Sequence, residues 1–202
     1  MNTISEQTRL DTLQGLALPD TKAEERFDRI TRLAKSLMNV DIALISLIDA
    51  NRQWFKSKQG LNVCETARGV SFCTHAIERD EIMVVEDAMK DARFCDNPLV
   101  TGDPKIRFYA GAQLRATNGA AIGTLCVIDS KPRPHFDDDD QLQLSVLAGL
   151  VMEEINARQT KKELQKQYAD RRRTEQKLSD TNRQVDRLTL RTALAERTKK
   201  EF

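Results

Sequence analysis

The chain has 202 residues, a hydrophobic fraction of 40% and an aromatic fraction of 5%, which fits one domain of about 150 residues with a polar extension. No apolar run reaches the roughly 18 residues of a membrane span, and the N-terminal residues lack the apolar stretch of a secretory signal. We therefore expect a cytoplasmic chain that makes no membrane contact.

Two helices are predicted at the N-terminus. Ser5 precedes a segment in which leucines recur every three residues, and Pro19 ends it. The run from Thr21 to Glu24 has the form of a capping box. Six apolar residues on one helical stripe follow it and predict a helix that packs on an apolar surface: Phe27, Ile30, Leu33, Ala34, Leu37 and Met38.

Strands are predicted next. The run 42–48 is apolar on both faces, as in an inner strand, and residues 53–59 are predicted to form its hairpin partner before Gly60. A short helix at 72–79 and a strand at 82–86 follow. The loop 87–106 should fold over a core or pocket as a lid, because four apolar residues interrupt its polar ones: Phe94, Leu99, Val100 and Ile106.

Residues 107–129 contain two apolar runs joined by Asn118 and Gly119. This dipeptide supplies the positive φ values of a two-residue turn, so the segment predicts a tight β-hairpin. The hairpin fixes a mixed α/β fold. Pro132 and Pro134 then lead into a long helix that begins at Asp137, where acidic residues favour the helix dipole.

The long helix is predicted to reach nearly to Phe202. Its first part is apolar enough to pack on the domain, through Leu142, Leu144, Leu147, Leu150, Val151 and Ile155. Beyond residue 156 no globular core is expected. One heptad position forms a weak coiled-coil seam, which Arg171 interrupts and which holds Leu150, Ala157, Leu164, Leu178 and Val185. Because so long a helix is unstable alone in water, we expect a homodimer joined through the N- and C-terminal helices.

Charge is divided between the two ends of the chain. Residues 156–202 hold 14 Lys and Arg against 7 Asp and Glu, while the whole chain has a net charge of only +1. A basic tail either binds nucleic acid or acidic lipid, or forms a helix whose charged face is exposed to solvent. Interspersed acidic residues and the lack of an aromatic stacking pattern favour the second, so no nucleic-acid partner is expected.

Five blocks of sequence between residues 9 and 155 resemble the GAF domains of bacterial histidine kinases and cyclic-di-GMP enzymes. They are RLDTLQGLALPDTKAEERFDRITRLAKSL, ALISLIDANRQWFKSKQGL, SFCTHAI, FCDNPLVTGDPKIRFYAGAQL and GTLCVIDSKPR. The resemblance implies an α+β fold, in which an antiparallel sheet has helices on one face and a ligand cavity on the other. It divides the chain into an N-terminal helix (1–20), a GAF sensory domain (21–155) and a coiled-coil signalling helix (156–202).

The same resemblance implies a non-catalytic sensor that binds a small ligand of unknown identity and passes its state to an effector. The sequence shows no Ser/His/Asp, metal-ligand or phosphate-loop constellation, so no catalytic residue and no metal site are expected, and the cofactor is unknown. One alternative is a dimerising scaffold without ligand, and another is a thiol or redox enzyme that uses Cys73. The implied cavity is lined by Trp54, Phe72, Cys73, His75, Phe94, Asn97, Leu99, Phe108 and Tyr109.

Departures from the family pattern bear on the ligand. Bilin-binding relatives attach the chromophore through a Cys followed directly by His, but here Thr74 separates Cys73 from His75. Relatives that reduce free methionine sulfoxide need reactive cysteines, whereas the apolar settings of Cys73, Cys95 and Cys126 argue against low thiol pKa values. A structural disulfide is not expected in a reducing compartment. His75 is interpreted as a haem ligand, a hydrogen-bond donor to the ligand or, preferably, a core residue.

Two further patterns are open to interpretation. Asp49 and Asp129 each end an apolar strand and form either a carboxylate pair or, preferably, two turn caps. Residues 190–202 resemble the first helix of an EAL-type cyclic-di-GMP phosphodiesterase, which would make the chain the sensor half of a larger enzyme. A stand-alone protein is the alternative.

Overall fold

Residues 4–200 are described in the computed structural model, without the side chains of Leu190 and residues 192–200. The chain divides into a first unit up to Asn156 and a second unit that begins at Ala157. A 3-10 turn spans Arg68–Val70. In chain order the elements are α1 (Glu6–Leu16), α2 (Glu25–Met38), β1 (Ile42–Ile48), β2 (Arg52–Gln59), β3 (Glu65–Ala67), α3 (Phe72–Ala76), β4 (Met83–Val85), α4 (Pro98–Thr101), β5 (Phe108–Arg115), β6 (Ala121–Asp129) and α5 (Asp138–Lys200).

The six strands form one antiparallel sheet in the order β3-β2-β1-β6-β5-β4. β1 lies between β2 and β6 and is buried over its whole length, which confirms the inner strand predicted from its sequence. The antiparallel sheet, the flanking helices and the long C-terminal helix confirm the predicted α+β fold.

Two apolar cores lie on opposite faces of the sheet because successive strand residues point to opposite sides. In β1, Ala43, Ile45 and Leu47 belong to one core, which residues of α1, α2 and the first part of α5 complete. Ile42 and Leu44 belong to the other core, together with residues of α3 and of the segment 88–106. We call these the helix-side core and the loop-side core.

The connection between α1 and α2 differs from the predicted capping box. Ser5 caps α1 as expected, since its side chain accepts from the amide of Thr8. α2 instead begins after Glu24, whose side chain makes no capping hydrogen bond. The ammonium group of Lys56 binds both predicted cap residues: its Nζ lies 2.8 Å from Thr21 Oγ1 and 2.7 Å from Glu24 Oε1.

Lys56 lies on the α2 side because it follows Phe55, which points to the loop side. A β-bulge opposite Ile45 and Ser46 then brings Ser57 to the same side, where its hydroxyl bonds that of Thr31. Its side chain is fully buried, and its Nζ also donates to the carbonyl of Lys22 and lies 5.2 Å from the ring centre of Phe27. The ammonium group thus holds the loop before α2 against the sheet.

Replacing Lys56 by Ala should lower the free energy of unfolding by about 2–3 kcal/mol, because it removes the buried ammonium group that binds Thr21, the Lys22 carbonyl and the Glu24 carboxylate together. Urea unfolding followed by the fluorescence of Trp54 measures the loss. Lys58→Ala is the matched control, since the Lys58 Nζ has only an exposed bond to the carbonyl of Asn62. Equal stability of the two variants would contradict the structural role of Lys56.

The hairpin of β5 and β6 is confirmed, but its turn is longer than predicted. Ala116 and Ala120 form the last backbone pair, and the amide of Gly119 donates to the carbonyl of Ala116. Gly119 alone adopts a positive φ, of 86°, whereas Asn118 uses its side-chain oxygen to accept from the amide of Ala120. This is a three-residue loop with a glycine in the left-handed region.

α5 begins where the acidic run predicted, with the carboxylate of Asp137 accepting from the amide of Asp140. Within the first unit it buries Leu144, Leu147, Val151 and Ile155, as expected. Leu142 and Leu150 are instead 62% and 40% exposed, so the prediction that they pack on the domain was wrong. The buried residues of this part of α5 recur at spacings of three and four and form one stripe along the helix. Leu142 and Leu150 lie outside that stripe and therefore face solvent.

The second unit is helical throughout its described length, and every described side chain from Thr160 onward is exposed. Its exposed apolar residues include Leu164, Tyr168, Leu178 and Val185. The sequence resembling an EAL-type helix, 190–202, lies almost wholly outside the described side chains. Over the described residues, no helix combines the length and the apolar character needed to cross a bilayer.

Candidate functional site

A cavity of about 390 Å³ lies on the loop side of the sheet. Its floor is formed by the sheet, and α3, the segment after β2 and the loop around residues 99–106 form its walls. Most of the lining is apolar, from Ile42, Leu44, Phe55, Leu61, Val63, Phe72, Leu99, Ile106, Tyr109 and Ile128. Such a wall with a few polar groups is typical of small-molecule sites.

Four of the nine predicted site residues line this cavity, namely Phe72, Cys73, Leu99 and Tyr109. Trp54 and Phe108 do not, because both side chains belong to the helix-side core. Their strand neighbours Phe55 and Tyr109 point to the loop side instead. The prediction that Trp54 and Phe108 line the cavity was therefore wrong, because successive residues of a strand point to opposite faces of the sheet.

The other three predicted residues surround the site without lining it. Phe94 is buried and stacks on Phe72 with ring centres 3.9 Å apart, so it supports the wall from behind. Asn97 caps α4, accepting from the amide of Leu99 at 2.9 Å and donating to the carbonyl of Val70 at 3.0 Å. These contacts tie the predicted lid to the 3-10 turn that precedes α3.

His75 is exposed on α3 and meets the edge of the Phe94 ring, with ring centres 5.1 Å apart. It lies neither in the cavity wall nor in the core, so the preferred interpretation as a core histidine was wrong. The helix turns the side chain outward because the neighbouring positions Phe72, Cys73 and Ala76 take the buried face.

Several lining residues were missed in the sequence. Phe55 was detectable from strict alternation with Trp54. Leu61, Val63 and Thr66 belong to the segment that continues from Gly60 into β3, which pairs with β2 over only three residues. So short an edge strand leaves no periodic signal.

A polar group of side chains lies at the inner end of the cavity. The sulfurs of Cys73 and Cys126 are 3.6 Å apart, and the hydroxyl of Tyr109 donates to the sulfur of Cys73 at 3.3 Å. Ser46 and Thr124 pair across β1 and β6, and their buried hydroxyls lie beside the Cys73 thiol.

These groups perturb the two thiols in opposite directions. Burial raises the pKa of Cys73, but the thiol of Cys126 and the hydroxyls of Thr124, Tyr109 and Ser46 favour its thiolate and outweigh burial, lowering its pKa to about 6. The neighbouring Cys73 and burial both raise the pKa of Cys126. The expectation of a purely apolar setting for Cys73 is therefore corrected, because α3 brings the thiol over polar positions of strands that are otherwise apolar.

Asp49 and Asp129 are turn caps, as preferred from the sequence. One carboxylate oxygen of Asp49 accepts from the amide of Ala50 at 2.8 Å, and one of Asp129 accepts from the amide of Lys131 at 3.1 Å. Both carboxylates are thus engaged in local backbone structure.

Comparison with known proteins agrees with this geometry. Residues 22–155 match the model of the GAF domain family. Over 151 residues the chain is 43% identical to a protein of Pseudomonas aeruginosa named cyclic di-GMP phosphodiesterase PA2567. The matched part is 75% of this chain but only 26% of that protein, so the chain spans about a quarter of its relative's length.

Solved structures show the same fold at low sequence identity. The GAF domain of an Acinetobacter phosphoenolpyruvate-protein phosphotransferase is 22% identical, with 76% of this chain and 95% of that chain covered and a TM-score of 0.56. A free methionine-R-sulfoxide reductase of Neisseria meningitidis is 17% identical, with 78% and 95% covered and a TM-score of 0.55. Since the family model matches about two thirds of its residues, the chain belongs to the GAF domain family.

Proposed function

We propose that the chain is a regulatory module of cyclic-di-GMP signalling that binds a small ligand in the loop-side cavity and passes its state into α5. The observation that carries this proposal is the 43% identity to a named cyclic di-GMP phosphodiesterase over the GAF region. In this proposal, the effector that α5 controls is a phosphodiesterase domain. The chain itself acts as sensor and performs no catalysis.

The cavity supports a ligand that is mainly apolar, because ten apolar residues line it and only a few polar groups interrupt them. The polar residues of the lining are Gln53, Asn62, Glu65, Thr66, Cys73 and Asp103. A planar ring system with one or two hydrogen-bonding groups fits this lining, and its stacking partners are Phe55, Phe72 and Tyr109.

The route from cavity to α5 is short and runs through β5 and β6. Tyr109 lines the cavity, and its neighbour Phe108 packs on Phe136 with ring centres 5.3 Å apart, directly before α5 begins. A ligand that shifts Tyr109 therefore acts on the start of α5 through one residue of β5.

The dimer of this proposal uses exposed apolar residues of α2 and α5. Leu33 and Leu37 are 50% and 51% exposed, and Val146 is 57% exposed. Salt bridges from Arg26 and Arg29 to Glu154 join the two helices on the same side of the sheet. A second copy of the chain would cover these side chains about a two-fold axis.

A ligand that fills the cavity should raise the unfolding temperature by about 5–10 °C at a concentration a hundredfold above its dissociation constant. Thermal unfolding of the full chain is followed by differential scanning calorimetry in the presence of purine nucleotides and planar apolar heterocycles. Leu99→Trp, which fills the cavity, should abolish the shift, and Met89→Trp, at an exposed position outside the lining, should retain it. If no probe stabilises the chain, the ligand-free scaffold is favoured instead.

A further inference from the structure

The two thiols at the inner end of the cavity come from elements far apart in sequence. Cys73 lies on α3 and Cys126 lies in the middle of β6, 53 positions later, yet their sulfurs are 3.6 Å apart. We propose that Cys73 and Cys126 form a reversible dithiol–disulfide pair that hydroperoxides oxidise from the cavity. A disulfide bond measures about 2.05 Å, so the sulfurs need to approach by roughly 1.5 Å.

The geometry gives the two thiols different roles. Both thiols are buried, at 2% and 0% exposure, but Cys73 belongs to the cavity lining and Cys126 does not. A hydroperoxide in the cavity therefore meets Cys73 first. The hydroxyl of Tyr109, which donates to this sulfur at 3.3 Å, stabilises the thiolate that attacks. Cys126 lies in position to resolve the product.

The reaction takes place in two steps. The Cys73 thiolate attacks a peroxide oxygen: the sulfur–oxygen bond forms, the oxygen–oxygen bond breaks, and the alcohol or water leaves after taking up a proton. The Cys126 thiol then attacks the sulfenic sulfur. The disulfide forms, the sulfur–oxygen bond breaks, and the hydroxide leaves as water with the proton of Cys126. In total, two thiols lose two electrons and the peroxide gains them.

Oxidation changes the wall of the cavity. Phe72, beside Cys73 on α3, and Tyr109 both line it. Drawing α3 toward β6 shifts Phe72, and the disulfide removes the thiolate that accepts from Tyr109. The redox state of the pair thus acts on the site to which we assign the ligand. The chemistry itself requires neither a ligand nor an output domain, so it is tested separately from the proposed function.

The test uses the full chain, reduced and then treated with a small excess of hydrogen peroxide. Free thiols are counted in denaturant, and disulfide-linked peptides are mapped by mass spectrometry. We expect the count to fall from the four cysteines of the reduced chain to two, the mass to fall by about 2 Da, and Cys73 to be linked to Cys126. Dithiothreitol should restore all four thiols.

Two variants sharpen the result. Cys64→Ser with Cys95→Ser removes the exposed and half-buried thiols and should form the same linkage. Cys126→Ala should instead accumulate a sulfenic acid on Cys73 that dimedone traps. Oxidised wild-type chain without the Cys73–Cys126 linkage, whether its thiols stay reduced, form other pairs or become sulfinic acids, would overturn the proposal.

Discussion

Replacing Gly123 by Ala is expected to destabilise the first unit by about 3 kcal/mol or more. Gly123 lies in β6 between β1 and β5, opposite Leu47 and Leu114. A Cβ at this position would lie 2.0 Å from the carbonyl oxygen of Ser46 and 2.9 Å from the Cα of Leu47. Both atoms are backbone atoms of the central strand, so no side chain can move to make room.

Urea unfolding followed by the fluorescence of Trp54 measures this loss, because Trp54 is the only tryptophan and is buried in the helix-side core. Gly149→Ala is the control. Gly149 lies exposed in α5 and nothing lies within 4 Å of an added Cβ, so the change should stabilise the helix by about 0.5–1 kcal/mol. A Gly123→Ala variant as stable as wild type would contradict the close pairing of β1 with β6 at this position.

Ending the chain after Arg158 is expected to weaken the proposed dimer by about a hundredfold or more. The described part of the removed segment is helical, and its described apolar side chains are exposed in the single chain, among them Leu164, Tyr168, Leu178 and Val185. A partner helix that covers several such residues from each copy contributes more than the roughly 2.8 kcal/mol that a hundredfold change requires. The first unit should remain folded, since it is compact by itself.

Light scattering and sedimentation over a range of concentrations measure the association of both chains. Leu164→Glu with Leu178→Glu in the full chain should reproduce the loss, because both charges fall on the apolar stripe. Gln165→Glu with Ser179→Glu adds the same charge one position away, on exposed residues outside the stripe, and should leave the dimer intact. A shortened chain that associates as tightly as the full one would show that this helix does not join the subunits.

The sequence predicted most of the fold because its elements carry strong periodic signals. The apolar run of β1, the stripe of α2 and the acidic start of α5 each specify an element without help from tertiary structure. The details that failed depend on contacts distant in sequence. Lys56 displaces the capping box of α2 because its ammonium group, on a strand more than 30 residues further along the chain, binds Thr21 and Glu24.

The site was harder to predict than the fold. A resemblance between sequences assigns segments to a cavity but does not fix which of two neighbouring residues points inward. Trp54 and Phe108 were therefore assigned to the wrong face, although Tyr109 was assigned correctly. The polar inner end was not detectable at all, because Ser46 and Thr124 lie within apolar strands and meet Cys73 only after α3 has packed on the sheet.

Native mass spectrometry of freshly purified full chain tests the central claim most directly, namely that the loop-side cavity holds a small ligand. The proposed function predicts a non-covalent adduct on the wild-type chain that is retained in Met89→Trp and missing in Leu99→Trp, in which the cavity is filled. A wild-type chain that carries no adduct, even after incubation with every probe of the thermal series, would contradict the claim.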